Sequence, residues 1–579
     1  MSTGSESESA TPEPEGDADA AESDAFERAC ATLVEGILDG EIERGDVESA
    51  KLDACGEVAA PKVPTNAELM DRAPEGRREE LEAVLRRKPV RTASGVSPVA
   101  IMTSPQGCPH GKCLYCPGGP GSEFSSAQSY TGAEPAAARG VQNDYDPYGQ
   151  VTLRLEQLRE IGHPVDKVEL ILMGGTMTAR SADYQEWFVK RALEAMNDYD
   201  VSKDPAPAEG ESFAQDPAEY DWRYTEDVIA ENETADVRNV GTTFETKPDW
   251  CGPEQIDRML RLGGTKVEVG VQTTYEEINR AMHRGHGTQA SVDANRRLRD
   301  AGFKVGFHMM PGQPGMDREM CIEDFRRLFE DERWRPDYLK IYPTLVVRGT
   351  ATYDMWRRDE YEPLRNDEAA ELVAEIKSLL PKYVRLQRVQ RDIPADFIDA
   401  GVWKSNLRQL ARERMAEHGW SCDCIRCREV GTNDRPPERV EPNTLTYGSA
   451  GGTERFLSYE DPESGVLVGF CRLRFPDDPT RDELVDAALV RELHVYGPMV
   501  QVGEAQQATE RPSGHGPRDG EQSVDWQHRG YGGKLLDRAE TLAADAGYPK
   551  LSVISGIGAR EYYRDRGYHQ DGPYVSKRL

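Results

Sequence analysis

From about residue 96 to 400, short apolar runs alternate with amphipathic stretches of helical period. VDKVELILMGG, VGTTFET, KVEVGVQT, FKVGFHMMPG and YLKIYPTLV, bounded by Gly, Pro or polar clusters, predict buried parallel strands. ASVDANRRLRDAG and EDFRRLFED predict helices between them. This order predicts a partial β/α barrel of the α/β class, whose functional groups gather where strands end and loops begin. A second α/β unit is predicted over 441–579, with strands around ERFLSYED, GVLVGFCRLRF, ALVRELHVY and KLSVISGI and a helix at GGKLLDRAETLAADAG.

The segments outside these units have a different texture. Residues 1–24 are low-complexity Ser, Glu, Asp and Pro and read as disordered. Residues 25–95 read as helical, and RREELEAVLRRKPVRT gathers Arg77, Arg78, Arg86, Arg87, Lys88 and Arg91. Such a run is either a solvated helix face or a set of phosphate contacts. The acidic stretches 200–238 and 503–524 read as surface loops, and 401–440 as a cysteine-bearing linker.

Composition then narrows the classes. The formal charge is −32, from 103 acidic and 71 basic residues, which ordinarily argues against nucleic-acid binding. The acids, however, are spread along the chain and only 17 of the 71 basic residues are lysine, the pattern of a salt-adapted surface. At high salt, repulsion is screened within a few ångströms, so the charge does not exclude an RNA substrate. No run of about 18 apolar residues suggests a membrane span. The N-terminus has neither a basic start nor an apolar core, and the eleven cysteines cluster in motifs. Together these predict metal ligation in a reducing, cytoplasmic setting.

CPHGKCLYCPGGP carries Cys108, Cys113 and Cys116. Three readings fit: a zinc knuckle completed by His110 or a remote cysteine, a ferredoxin lacking its fourth thiolate, or a [4Fe–4S] cluster on three thiolates with one iron open to a substrate. The PGGP that follows, just ahead of a barrel, favours the third, although Cys-x4-Cys-x2-Cys departs from the commonest Cys-x3-Cys-x2-Cys of radical S-adenosylmethionine enzymes. Strand ends downstream supply a shared face: MGGT with Gly174 and Gly175, FETKPDW with Glu245 and Lys247, GVQT with Gln272, and HMMPGQPG. CDCIRCRE gives a second triad, Cys422, Cys424 and Cys427, read as structural zinc with its fourth ligand open among His494, Cys471 and His418.

In the C-terminal unit QHRGYGGKLL, with Gln527, Arg529, Gly530, Tyr531, Gly532 and Gly533, opens a helix whose N–H groups and dipole suit a pyrophosphate. RELHVYG precedes it as a strand whose edge can pair with a pantetheine arm, and GAREYYRDRGY places Tyr562 and Tyr563 near the expected thioester. One of the two tyrosines is expected to be core. Together these motifs resemble GNAT acetyltransferases.

A radical S-adenosylmethionine barrel joined to such a unit resembles the Elongator catalytic-subunit family in its single-subunit archaeal form. The resemblance covers roughly residues 75–579 and is carried by CPHGKCLYCPGGP, QSYTGAEPAAAR, GHPVDKVELILMGGT, ETKPDWC, EVGVQTTYE, NRAMHRGH, AGFKVGFHMMP, KIYPTLVVRGT, RVQRDIP, CDCIRCREVG, VRELHVYG, ISGIGAREYYR and GPYVSKRL. It implies a [4Fe–4S] cluster on Cys108, Cys113 and Cys116 that cleaves S-adenosylmethionine to a 5′-deoxyadenosyl radical. That radical takes hydrogen from the acetyl methyl of acetyl-CoA, and the carbon radical adds to carbon 5 of the wobble uridine of tRNA. Thioester hydrolysis then leaves a carboxymethyl group. The implied acetyl-CoA contacts are Lys167, Glu492, Leu493, His494, Val495, Tyr531, Gly532, Gly533 and Tyr563, with Lys167, Tyr562 and Tyr563 the implied catalytic groups. Partners follow: a tRNA anticodon loop, gripped by basic residues such as Arg86, Arg87, Lys88 and Arg91, and an unidentified electron donor. A homodimer is left open. A lysine acetyltransferase with a structural iron–sulfur cluster and a non-catalytic RNA-binding scaffold are the competing readings.

Overall fold

The computed structural model describes residues 16–58, 60–74, 76–85, 95–203, 224–433, 436–497 and 529–579. Arg86, Arg87, Lys88, Arg91 and Gln527, and all of 503–524, therefore lie outside the described residues. The chain divides into two units, 1–89 with 157–163, and 90–156 with 164–579. In the first, helices Gly16–Leu38, Val47–Val58, Asn66–Met70 and Arg78–Leu85 meet on a core of Phe26, Cys30, Leu33, Ile37, Leu69, Leu81 and Leu85. Phe26, Cys30, Leu33 and Ile37 recur at helical spacing, which explains the buried face. The first helix already begins inside 1–24, where composition alone predicts no structure.

The second unit holds two sheets. The first consists of β1 (Ser97–Met102), β2 (Lys167–Met173), β3 (Arg238–Thr246), β4 (Gly264–Gln272), β5 (Lys304–Met309), β6 (Tyr338–Ile341) and β7 (Arg385–Arg388). All neighbours are parallel and follow one another in chain order, an open half-barrel. Its strands are buried on both faces, yet they alternate. In β4, Val267, Val269 and Val271 take one face, while Lys266, Glu268, Gly270 and Gln272 take the other. The second set meets Glu169 of β2, His308 of β5 and Lys340 of β6, and Lys340 in turn pairs with Glu245 of β3, so the inward face is polar. β1 and β7 were not among the predicted strands: SPVAIM is short, and RLQR offers Leu386 as its one buried apolar side chain.

The second sheet contains β8 (Glu441–Ser449), β9 (Gly452–Glu460), β10 (Leu467–Phe475), β11 (Ala487–Val495), β12 (Lys550–Val553), β13 (His569–Asp571) and β14 (Tyr574–Arg578). Their spatial order is β8-β9-β10-β11-β12-β14-β13, antiparallel except for β11 with β12. The helix Tyr531–Asp545 packs Leu535, Leu536, Ala539 and Ala543 on this sheet. This mixed sheet with its packed helix is the second α/β unit expected after the barrel.

The two sheets are joined by buried charge. Asp337, just ahead of β6, is fully buried and faces Arg491 at 2.7 and 2.8 Å, Arg299 at 3.2 Å and Arg472 at 3.4 Å. Glu454 of β9 accepts from Arg491 at 2.8 Å, Arg474 at 3.0 Å and Arg299 at 3.1 Å. Asp300 holds Arg474 at 2.6 Å, and Glu492 holds Arg472 at 2.8 Å. Arg299 and Asp300 end a barrel helix, whereas Arg472, Arg474 and Arg491 belong to β10 and β11, so the pairs cross the seam. Burial alone would raise the Asp337 carboxyl; Arg299, Arg491 and Arg472 hold it well below the usual range. Close by, Gly556 lies so tightly on Val240 that a Cβ there would strike the Val240 carbonyl.

Such a network resists loss of a single member. Arg491→Met would leave Asp337 and Glu454 short of a cation and is expected to lower the unfolding free energy by about 3–5 kcal/mol. Arg358→Ala, which breaks an exposed pair with Glu360 remote from these residues in the chain, should change little. Urea denaturation followed by circular dichroism measures both, and equal small effects would contradict a cooperative seam.

Candidate active site

The cysteine loop folds over the ends of the barrel strands. Its prolines and glycines prevent a helix, and the hydrogen bonds Gly111 N–H to Cys108 O (3.0 Å) and Cys116 N–H to Cys113 O (3.0 Å) make it a pair of tight turns. Each sulfur meets donors. Thr176 Oγ1 lies 3.3 Å from Cys108 Sγ, and the Ser129 amide donates to Cys116 Sγ at 3.1 Å with Gln128 Nε2 at 3.5 Å. Cys113 Sγ is 3.3 Å from His110 Nε2 and 3.5 Å from Arg284 Nη1. Burial pushes the Cys108 and Cys116 thiols up.

The predicted strand ends converge on this loop. Gly174 has a positive φ of 133°, and a Cβ there would strike Thr103 Oγ1. A Cβ on Gly175 would come within 3.1 Å of Gln128 Cβ and 3.8 Å of Cys108 Sγ, so both glycines are required by close approach. Gln272 closes β4 with a φ of 72°, and its buried Oε1 has no hydrogen-bond partner among the described residues. Glu245 accepts from Tyr130 at 2.8 Å and pairs with Lys340 at 3.2 Å; Lys340 also pairs with Glu268, which His308 Nε2 meets at 3.0 Å. Glu245, Glu268 and His308 could crowd round a cation, but the Lys340 ammonium already supplies that charge.

At the other sheet, the β11–β12 pairing stops at Val490 and Val553 while β11 runs on to Val495. A notch results, opposite the start of the helix Tyr531–Asp545, where Gly530 caps with a φ of 80°. Leu493 and Val495 pack against the domain core. Glu492 turns to the seam and accepts from Tyr338, and His494 lies tilted against Tyr496 with ring centroids 4.4 Å apart. Tyr563 is core, as one tyrosine was expected to be. Tyr562 faces the notch: its buried hydroxyl has no hydrogen-bond partner among the described residues, and a Cβ on Gly532 would sit 2.8 Å from it. Lys167 begins β2 beside Arg238 of β3, at the strand starts rather than at the cysteine end. The barrel-mouth residues and the notch residues thus form two separate groups.

Cys422, Cys424 and Cys427 come together with their sulfurs within 4.8 Å. Among the described residues no fourth His, Cys, Asp or Glu joins them. His418 pairs with Glu371 at 2.8 Å, Cys471 is sealed in the second domain's core, and His494 lies against Tyr496, so none of the three expected candidates stands within 4.8 Å of the triad. The loop pins the domains through Arg428 to Glu460 (2.6 Å) and the Arg385–Glu429 pair.

Tyr130, Glu268, Arg284, His308 and Lys340 were not among the predicted site residues. For Glu268 and His308 the signal was present as the two-residue alternation of KVEVGVQ and FKVGFHM.

Comparison with known proteins agrees with this arrangement. Residues 102–328 match the Radical SAM superfamily, 336–417 its C-terminal domain, and 26–93 the ELP3 N-terminal domain. A parallel half-barrel with an open cysteine triad at its strand ends is the fold of a radical SAM protein. The chain is 46% identical over 525 residues to the tRNA uridine(34) acetyltransferase of Methanocaldococcus jannaschii, covering 89% of this chain and 90% of that one. It is 40% identical over 529 residues to the Elongator complex protein 3 of Drosophila melanogaster, covering 89% of each. The solved structure of archaeal Methanocaldococcus infernus Elp3 with an N-terminal deletion aligns with a TM-score of 0.69 at 40% identity, covering 84% of this chain and 100% of that chain. The chain belongs to this family, that of Elongator complex protein 3 and the archaeal tRNA uridine(34) acetyltransferases. No helix among the described residues is long and apolar enough to cross a membrane.

Lys340→Met should cost about 3–5 kcal/mol at neutral pH, because Glu245 and Glu268 would share no cation. Burial would raise Glu268, but Lys340, Lys266 and His308 hold it well below the usual carboxylate range. A carboxyl so lowered adds stability above its unfolded pKa and loses it as pH falls through the folded one. The gap between wild type and variant should therefore be widest near about pH 7 and shrink below about pH 4.3. Urea titrations at both pH values test this, and a gap independent of pH would contradict it.

Proposed function

We propose that this protein uses S-adenosylmethionine and acetyl-CoA to place a carboxymethyl group on carbon 5 of the wobble uridine of tRNA. The relatives' name, tRNA uridine(34) acetyltransferase, supports the substrate and the position. The carrying observation is that one folded unit holds both an open cysteine triad ringed with donors and a sheet notch with an unpartnered tyrosine hydroxyl.

The residues fit the groups this reaction requires. Membership in the radical SAM superfamily implies a [4Fe–4S] cluster and S-adenosylmethionine, and the matched span 102–328 contains Cys108, Cys113 and Cys116 but not the second triad. The three sulfurs of the first triad are not among the ligand sets gathered within 4.8 Å. This supports a cluster, which spans a wider gap than one zinc ion with thiolates about 2.3 Å from the metal. The second triad is tight enough for a single zinc. When bound, cluster and S-adenosylmethionine supply a radical able to activate a methyl group, which acid–base chemistry at neutral pH does not.

This chain's residues do the holding and orienting. Gly174, Gly175 and the unpartnered Gln272 oxygen offer close backbone approach and a polar acceptor beside the triad, with Glu245 behind them. Glu492, Leu493, His494 and Val495 line the splayed edge of β11 for the pantetheine arm. Arg529, Gly530, Tyr531, Gly532 and Gly533 open the helix whose N–H groups suit the pyrophosphate. Tyr562 would donate its free hydroxyl toward the thioester, and Lys167 would act at the barrel's opposite end. Arg77 and Arg78 begin the basic run assigned to the tRNA backbone.

Anaerobic incubation with a chemical reductant, tRNA, acetyl-CoA and S-adenosylmethionine should give 5′-deoxyadenosine and carboxymethyluridine by mass spectrometry. Cys113→Ala should abolish both. Tyr562→Phe should keep the fold and weaken acetyl-CoA binding about five- to tenfold, the worth of one hydrogen bond. Acetyl-lysine formed without any need for S-adenosylmethionine would instead support a protein acetyltransferase.

A further inference from the structure

His110 lies inside the longer Cys-x4-Cys loop and is fixed from three sides. Its Nε2 is 3.3 Å from Cys113 Sγ, and its Nδ1 is 2.9 Å from Lys247 Nζ, at the end of β3. Lys247 is anchored in turn by Asp249 at 3.3 Å. Behind the ring, Gly285 has a φ of 73°, and any Cβ there would strike His110 Cβ. A larger residue at 285 would drive the imidazole off its place.

This geometry sets the direction of the hydrogen bonds. A lysine ammonium has only donors, so Nδ1 of His110 accepts, and the single ring proton of a neutral imidazole sits on Nε2. That proton points at the Cys113 sulfur. Arg284 adds a second side-chain donor to the same atom at 3.5 Å, while its other nitrogen is held by the Gly270 carbonyl. Cys116 receives the Ser129 amide and Gln128 Nε2, and Cys108 the Thr176 hydroxyl, so Cys113 is the ligand whose side-chain donors are an imidazole and a guanidinium.

We infer that His110 is a positioning residue that donates its Nε2–H to the Cys113 thiolate and thereby raises the reduction potential of the cluster, with Lys247 fixing the tautomer. The inference rests on the assignment of the cluster to Cys108, Cys113 and Cys116. Its physical basis is that hydrogen bonds to ligating sulfurs favour the more negative, reduced cluster and that groups behind a metal ligand tune the metal. His110 is neither an iron ligand nor a plain loop residue.

The test uses the full chain with its cluster, as wild type, His110→Phe and His110→Gln. Iron per chain is measured first, and about four irons are expected in each; a wild type without them overturns the cluster assignment itself. With the cluster intact, a redox titration followed by electron paramagnetic resonance should show His110→Phe shifted about tenfold toward the oxidised form, 59 mV lower for a one-electron couple. His110→Gln, which keeps an N–H donor, should recover part of that shift. A full-iron His110→Phe with the wild-type potential overturns the inference. Wild-type protein carrying nitrogen-15 histidine gives a check free of variants. A weak nitrogen coupling to the reduced cluster is expected in electron–nuclear double resonance, whereas no coupling, or the strong coupling of a direct iron ligand, overturns it.

Discussion

Four arginines and four carboxylates sealed between two sheets constrain everything else in the larger unit. Arg299, Arg472, Arg474 and Arg491 face Asp300, Asp337, Glu454 and Glu492, and the charges balance. Removing ions from water is so costly that each must find its partner in the same interior. Since β10 and β11 carry three of the cations while Asp300 and Asp337 come from the barrel, neither sheet can satisfy its own buried charge. Barrel and mixed sheet are thereby committed to one register, and the cysteine loop and the notch at Tyr562 inherit a fixed relation to each other.

The same rule shapes the barrel lumen. Closed β/α barrels fill their interiors with branched apolar side chains. This half-barrel instead places ionisable groups on alternate residues: Glu169 against Lys266 at 2.5 Å, Glu268 with Lys340 and His308, and Tyr338 with Glu492 at the seam. Every carboxylate there has a cation or hydroxyl of its own. The lumen is therefore polar without being an uncompensated acidic or basic channel, in a chain whose total charge is −32. Net charge thus describes the surface and says little about the interior.

Much of this was legible in the sequence. The five predicted barrel strands and the four of the second sheet are present, because each combines an apolar run with a Gly or polar stop. Cys108, Gly174 and Gly175 could be grouped because tight turns and close approach leave a mark as glycine and proline. Less was legible where one residue type serves two ends. Period-two polar positions such as Glu268 and His308 were hidden inside runs read as uniformly buried, and Arg385 to Arg388 did not read as a strand because its exposed and lumen-facing residues are polar. Nor could spacing tell that His494 lies against Tyr496 and Cys471 in the core, since that depends on the strand position each occupies. Which of Tyr562 and Tyr563 faces the notch was likewise decided by packing.

The central claim is that the two sites act on one acetyl group, and labelled acetyl-CoA tests it most directly. With acetyl-CoA fully deuterated at the acetyl methyl, mass spectrometry of the products reports where those atoms go. The expected result is deuterium in 5′-deoxyadenosine, with the remainder retained in the carboxymethyl group of the tRNA nucleoside. Unlabelled 5′-deoxyadenosine formed alongside a labelled nucleoside would contradict the account.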